Sequence, residues 1–223
     1  MKAFGLAALL ILGSAATANA GIVQITNASQ LGSFDTVDWG IFGPVPSSVS
    51  TFAQAPAGPL MVHINTAAGT LNLEPGTAVG GFLSTDTLLS QVPGNLSDPV
   101  LVGFSSPVQG IGTQIESLLA GDFTGFMDLY DSGNNLLGEV SVTGTTTTDH
   151  DGSAPIIGAI STAADIDHVI FSVYNGNPQF PHAGDVAINA LDFVAVPEPV
   201  TMSLFGAGLL GVFAARRRRG AKS

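Results

Sequence analysis

A chain of 223 residues with no cysteine and a formal net charge of -11 holds together without disulfides, offers no thiol chemistry, and has the length for one hydrophobic core in one domain. All six Lys and Arg lie at positions 2, 216–219 and 222, so Gly21 to Val196 carries sixteen Asp and Glu with no Lys or Arg, a formal -16 with its histidines neutral. Such a body has nothing to neutralise phosphate with, which excludes nucleic acid as a partner, and it repels anionic polysaccharide unless a divalent cation bridges the two.

Lys2 opens the chain, Phe4 to Leu12 is an apolar run, and Ala18-Asn19-Ala20 precedes Gly21. A positive start, a short apolar core and small residues at Ala18 and Ala20 predict a signal peptide over 1–20, removed by signal peptidase before Gly21.

From Gly21 onward, short apolar runs alternate with Gly, Pro, Ser, Thr, Asn and Asp. The expected strands are Ile22 to Thr26, Met61 to Asn65, Gly69 to Leu73, Ala78 to Leu83, Val100 to Phe104, Gly112 to Ser117, Phe123 to Tyr130, Gly138 to Val142, Pro155 to Ile160, His168 to Tyr174 and Val186 to Phe193. With no long amphipathic helix among them, these segments predict an all-β fold, a jelly-roll-like β-sandwich over 21–195. Alternation places Val169, Phe171 and Val173 on one face and His168, Ile170, Ser172 and Tyr174 on the other, while Ala187, Asn189, Leu191 and Phe193 share a face of the last strand. Pro44 to Pro59 and Asp86 to Pro99 read as surface loops, and Ser161 to Asp165 as a turn closed by a side chain.

Two acidic loops have the oxygen donors that calcium takes. One is Asp149-His150-Asp151-Gly152-Ser153; the other joins Asp128 to Asp131 and the Ser132-Gly133-Asn134-Asn135 turn. Asp149, Asp151 and Ser153 stand at alternate positions, but an EF-hand loop would need Gly where Ala154 stands and Glu where Ile160 stands. Calcium ligation and plain turn formation therefore both account for Asp128, Asp131, Asp149 and Asp151. A third grouping would set Asp35 or Asp38 against Asp185 or Asp192 across neighbouring terminal strands.

Catalytic signals are sparse. His63, His150, His168 and His182 share no zinc spacing, there is no Gly-x-Ser-x-Gly elbow, and Glu74, Glu116 and Glu139 have no local context that would raise a carboxyl pKa. No residue is assigned a catalytic role. Asp38 and Trp39 form the one candidate sugar-binding pair, a flat aromatic beside a carboxylate, with a core tryptophan as the competing reading.

The chain ends on Val196-Pro197-Glu198-Pro199, sixteen uncharged residues from Val200 to Ala215, then Arg216, Arg217, Arg218 and Arg219. A helix over 200–215 would be only about 24 Å long against a hydrocarbon core near 30 Å, a short transmembrane anchor with its arginines on the cytoplasmic side. The segment 196–223 resembles the PEP-CTERM sorting signal of Gram-negative bacteria in its Pro197-Glu198-Pro199 triad, apolar stretch and terminal arginines. The resemblance implies an exported protein held at the inner membrane, trimmed by an exosortase-type peptidase and then placed at the cell surface or released, often where exopolysaccharide is made. Phe34 to Gly40, and Gly152 to Ala159 followed by Ile166 to Phe171 and the closing strand, also resemble ectodomains that accompany this tail, β-sandwich modules of uncharacterised or adhesive role, a resemblance that implies no ligand and no site. The functional expectation is a cell-surface or extracellular-matrix structural or binding protein, with calcium-supported glycan binding as its specific form. The alternative is a secreted hydrolase acting on polysaccharide.

Overall fold

The computed structural model describes residues 21–50, 53–58, 60–66, 70–91, 99–176 and 186–196. The expected signal segment with Ala18 and Ala20, and the sorting tail with Pro197, Glu198, Pro199 and Arg216 to Arg219, lie outside the described residues, as do Asp185 and His182.

Fourteen strands form the described body: β1 Ile22–Ile25, β2 Asp35–Val37, β3 Ser47–Ser50, β4 Ala53–Ala57, β5 Leu60–Asn65, β6 Thr70–Pro75, β7 Thr87–Gln91, β8 Val100–Ser117, β9 Gly121–Tyr130, β10 Leu136–Thr146, β11 Ile156–Ser161, β12 Ile166–Tyr174, β13 Val186–Ile188 and β14 Leu191–Ala195. All described pairings are antiparallel. The architecture is all-β and sandwich-like, as the short apolar runs predict.

Strand β8 is the spine. Its first half pairs with β5 on one edge and β12 on the other, which builds a layer in the order β4-β5-β8-β12-β9-β10. Its second half pairs with β11 and β14, then at Ile115 to Ser117 with β13, from which β7, β6 and β3 continue. Eighteen residues is far beyond the usual strand length of about 5–6. The change of partners follows an irregular register between Ile166 and His168, opposite the Ser105-Ser106-Pro107 stretch of β8. Pro107 lacks the N–H that an unbroken ladder needs, and a bulge bends a strand, so one chain serves two layers.

The core lies between the layers. Val169, Phe171 and Val173 of β12 face it with Met127 and Leu129 of β9 and Val102 of β8, against Leu71, Leu73, Leu89, Ile188 and Phe193. The rings of Phe104 and Phe193 meet at 5.4 Å. Each such buried side chain contributes about 1.5–3 kcal/mol through the apolar surface it removes from water. A smaller cluster of Val79, Phe82, Leu88, Ala154 and Ala187 sits under the 76–86 segment.

Several expectations are corrected. Among the described residues no helix is long and apolar enough to cross a membrane. Those present are single 3-10 turns at Ala28–Leu31, Trp39–Phe42 and Gly76–Ala78, each under about 10 Å long. The single transmembrane helix, membrane attachment through it and an inner-membrane stage resting on it are therefore withdrawn; Val200 to Ala215 itself lies outside the described residues. The Pro44 to Pro59 loop contains β3 and β4, and the start of the Asp86 to Pro99 loop is β7. Ala78 to Leu83, expected as a strand, is a 3-10 end followed by turns, because its glycines are used for close packing and not for a ladder. Val186 to Phe193 divides at Asn189-Ala190 into β13 and β14. The Ser161 to Asp165 turn is closed as the residues predict, the Ser161 hydroxyl donating to Asp165 at 2.6 Å and accepting from the Ala163 N–H.

Candidate functional site

On β9 the odd residues Phe123, Met127 and Leu129 are buried, so Asp122, Thr124, Phe126, Asp128 and Tyr130 point out of the sandwich. Cross-strand register then decides their neighbours. Thr145 of β10 lies opposite Asp122, while Thr124 lies between Thr143 of β10 and Tyr174 of β12. These two rows line an open cleft of about 610 Å³ together with Phe123, Gly144 and Gly176, a size within the roughly 300–1,000 Å³ usual for ligand sites.

The floor of the cleft is shaped by Gly144. A Cβ there would come within 2.6 Å of the Phe123 ring and 2.9 Å of Pro155, so only glycine lets β10 lie against that ring. At the rim the chain leaves β12 through Gly176, whose φ of 86° is open to glycine at no steric cost. The Thr145 hydroxyl donates to Asp122 Oδ1 at 2.7 Å. The cleft thus presents three threonine hydroxyls and a phenol, each able to donate and accept, beside one carboxylate.

Further along the same face, Tyr130 and His168 stack at 5.0 Å with rings 3° from parallel. His168 Nδ1 lies 3.1 Å from Asp167 Oδ2. Burial is the first cause that pushes the Tyr130 phenol up, with Asp128 and Glu139 adding to it. Gly103 of β8 lies between His168 and His63, and a Cβ on it would run into the His63 ring. Burial holds the His63 imidazole below its ordinary value, partly offset by Asp167.

The expected calcium residues are not brought together. Asp131 occupies the β9–β10 turn, whereas Asp149 and Asp151 follow the far end of β10, roughly 30 Å away along a strand rising about 3.3 Å per residue. Asp131 accepts from the N–H groups of Gly133 and Asn135 and from the Asn135 amide, bonds that lower its pKa. Asp151 accepts from the Ser153 N–H and is likewise lowered by Ser153. Asp128 stands half-buried in the middle of β9, opposite Glu139, and Asp149 is exposed. Among the described residues no group of three His, Asp or Glu is placed to hold a metal.

Trp39 is a core residue, 0% exposed, its indole N–H donating to the Asn189 carbonyl at 2.7 Å. Asp38 caps the 3-10 turn that carries it by accepting from Gly40 N–H. The terminal strands do meet, β2 against β14, but Asp192 takes its hydrogen bond from the Thr36 hydroxyl at 2.7 Å and burial raises its pKa.

Glu116 corrects the reading of the carboxylates. It is 1% exposed, Oε2 accepts from the Gly81 N–H at 2.9 Å, and burial raises its pKa above the usual 4.5. The cover is the 147–154 loop laid over Gly80 and Gly81, with the His150 N–H donating to Gly80 O and the Ala154 N–H to Gly81 O. Gln114 ties that loop down through the Gly152 and Ala154 carbonyls. None of this is local in the chain, which is why the residues around Glu116 gave no sign of it. The cleft was missed for the same reason, although the Thr-rich run from Thr143 to Thr148 was a visible signal.

Residues 195–219 match the PEP-CTERM protein-sorting motif, which marks this chain as an exported protein carrying that tag. No curated protein matches it. Among solved structures, a DUF4465 family protein from Bacteroides caccae is similar at 11% identity, over 79% of this chain and 100% of that one, with a TM-score of 0.42. CsCBM6-3 from Clostridium stercorarium, solved with cellobiose, is similar at 10% identity over 67% and 94% with a TM-score of 0.32. The family 11 carbohydrate-binding module of the cellulosomal cellulase Lic26A-Cel5E of Clostridium thermocellum is similar at 9% over 82% and 91%, TM-score 0.26.

Proposed function

We propose that this exported protein is a surface or matrix component that holds a glycan in the β9–β10–β12 cleft and does not turn it over. One observation carries the reading: the cleft gathers Thr124, Thr143, Thr145 and Tyr174 around a single acid, Asp122, on a face built by rigid strands. Hydroxyls that both donate and accept match the alternating demands of a polyol. The body has no Lys or Arg between 21 and 196, so uronate and sulfate sugars are disfavoured and uncharged or cationic ones fit.

Hydrolysis needs an acid and a base across one bond. Asp122 is the one carboxylate among the described residues lining the cleft, and Glu116, the acid with a raised pKa, is sealed elsewhere. In this reading the 1–20 leader is removed by signal peptidase, the body 21–195 is the functional domain, and an exosortase-type peptidase acts on the 196–223 tag.

The test is a glycan array probed with the full chain, followed by Thr124→Val/Thr143→Val and Tyr174→Ala variants. Binding weakened at least about tenfold in variants that melt with the wild type is expected, with no shorter oligosaccharide released on long incubation. Failure to retain any glycan would overturn the reading; release of shorter products would establish the hydrolase instead.

A further inference from the structure

We infer that the cleft selects sugars bearing a free amine, with the ammonium of a hexosamine unit seated on the Asp122 carboxylate. This deepens the glycan-binding reading and rests on it.

The carboxylate is oriented for the task. Asp122 Oδ1 is taken by the Thr145 hydroxyl at 2.7 Å, which fixes the group at the cleft edge, while Oδ2 accepts no hydrogen bond among the described residues. An ammonium has three donors and no acceptor, and is satisfied by one carboxylate oxygen together with hydroxyl oxygens. The Thr145 oxygen, beside the carboxylate, keeps acceptor capacity after donating to it, while Thr143 and Thr124 in the next outward row, about 7 Å along the strands, with Tyr174 beside them, face the hydroxyls of the sugar. A divalent ion would need further carboxylates or imidazoles, and no described group of three is placed for that.

Charge points the same way over longer range. With sixteen acids and no Lys or Arg from Gly21 to Val196, the body offers Asp122 no ammonium or guanidinium of its own, and its field draws cations toward the surface. A neutral N-acetylated sugar keeps the hydroxyl contacts but forgoes the charge-assisted bond. At a solvent-open position that bond is modest and weakens with salt.

The experiment is calorimetric titration of the full chain with the β-1,4-linked glucosamine tetramer and with its fully N-acetylated counterpart, at mildly acidic pH where the amine is an ammonium, in low and high salt. The amine form is expected to bind about fivefold tighter in low salt, the gap closing as salt rises. Asp122→Asn is expected to bring the amine form down to the level at which the same variant binds the acetylated one. Glu139→Gln removes the same charge from the exposed face of β10 and is expected to preserve the preference. Equal binding of the two tetramers by the wild type overturns the inference and leaves glycan binding standing. A preference that survives in Asp122→Asn also overturns it, assigning selection to overall charge. Binding of neither tetramer also overturns this inference, while the glycan reading is decided separately by retention on the array.

Discussion

Glu116 and Asp122 stand on either side of the turn between β8 and β9, yet one carboxyl is sealed and the other lies at the edge of an open cleft. The difference comes from what lies over each strand face. Above Glu116 the Gly80-Gly81 backbone approaches closely enough that a Cβ on Gly81 would sit 2.7 Å from both carboxyl oxygens, and the 147–154 loop closes over it. Around Asp122 the described neighbours are short threonine side chains on strands of one open face. A buried acid supports structure through the bond it accepts and titrates with folding, whereas an open one is available for recognition.

The largest effect that would break this contrast is expected at Glu116. Glu116→Ala leaves the buried Gly81 N–H without an acceptor and opens a cavity, a loss of about 2–4 kcal/mol in urea unfolding. Glu116→Gln keeps an oxygen for Gly81 and is expected to cost less than half as much. Similar losses from the two substitutions would remove the hydrogen bond as the reason for the acid's position. Gly81→Ala probes the same seal from above; its methyl group would strike the carboxyl and is expected to cost about 1–3 kcal/mol, read as a fall in melting temperature.

Titration separates the regions by sign. Because burial raises the Glu116 pKa, the folded chain holds that proton more tightly than the unfolded one. The associated stability is complete below about 4.5 and is lost as pH rises through the raised value. Asp192, also raised by burial, acts in the same direction. Asp131 and Asp151 act oppositely: bonds from Asn135 and Ser153 lower them, so their contribution is present above the ordinary 3.8 and is lost as pH falls through the lowered values. Melting temperature against pH should therefore form a dome, and Glu116→Gln should flatten its rising-pH limb while leaving the acid limb in place. An unchanged upper limb in that variant would exclude Glu116 as its source. The smallest effect is expected at the cleft, where Asp122→Asn should alter stability by no more than about 0.5 kcal/mol while changing ligand preference.

Much of the fold was legible from local pattern. The alternation of Val169, Phe171 and Val173 with His168, Ile170, Ser172 and Tyr174 forecast the core face of β12, because a period of two is visible within a few residues, although Ser172 on the other face is buried as well. The Ser161 to Asp165 turn was readable because its hydrogen bonds close within four residues. β3 and β4 escaped notice since Ser47 to Ser50 and Ala53 to Ala57 are strands of small residues and proline whose pairing partners, β6 and β5, supply most of the apolar pattern. Trp39 with Asp38 had the look of a sugar site, but the indole is consumed by the core and the Asn189 carbonyl.

By itself the sequence determined the export tag within 196–223, matched over 195–219, the body without a Lys or Arg and the all-β character, because motif, charge and strand period are properties of neighbouring residues. Tertiary structure decided which acid is buried and which is open, and it assembled the cleft from Asp122 and Thr124 on β9, Thr143 and Thr145 on β10 and Tyr174 on β12. Those residues meet through cross-strand register, and register is settled by the packing of the whole core, which no local window of the chain contains.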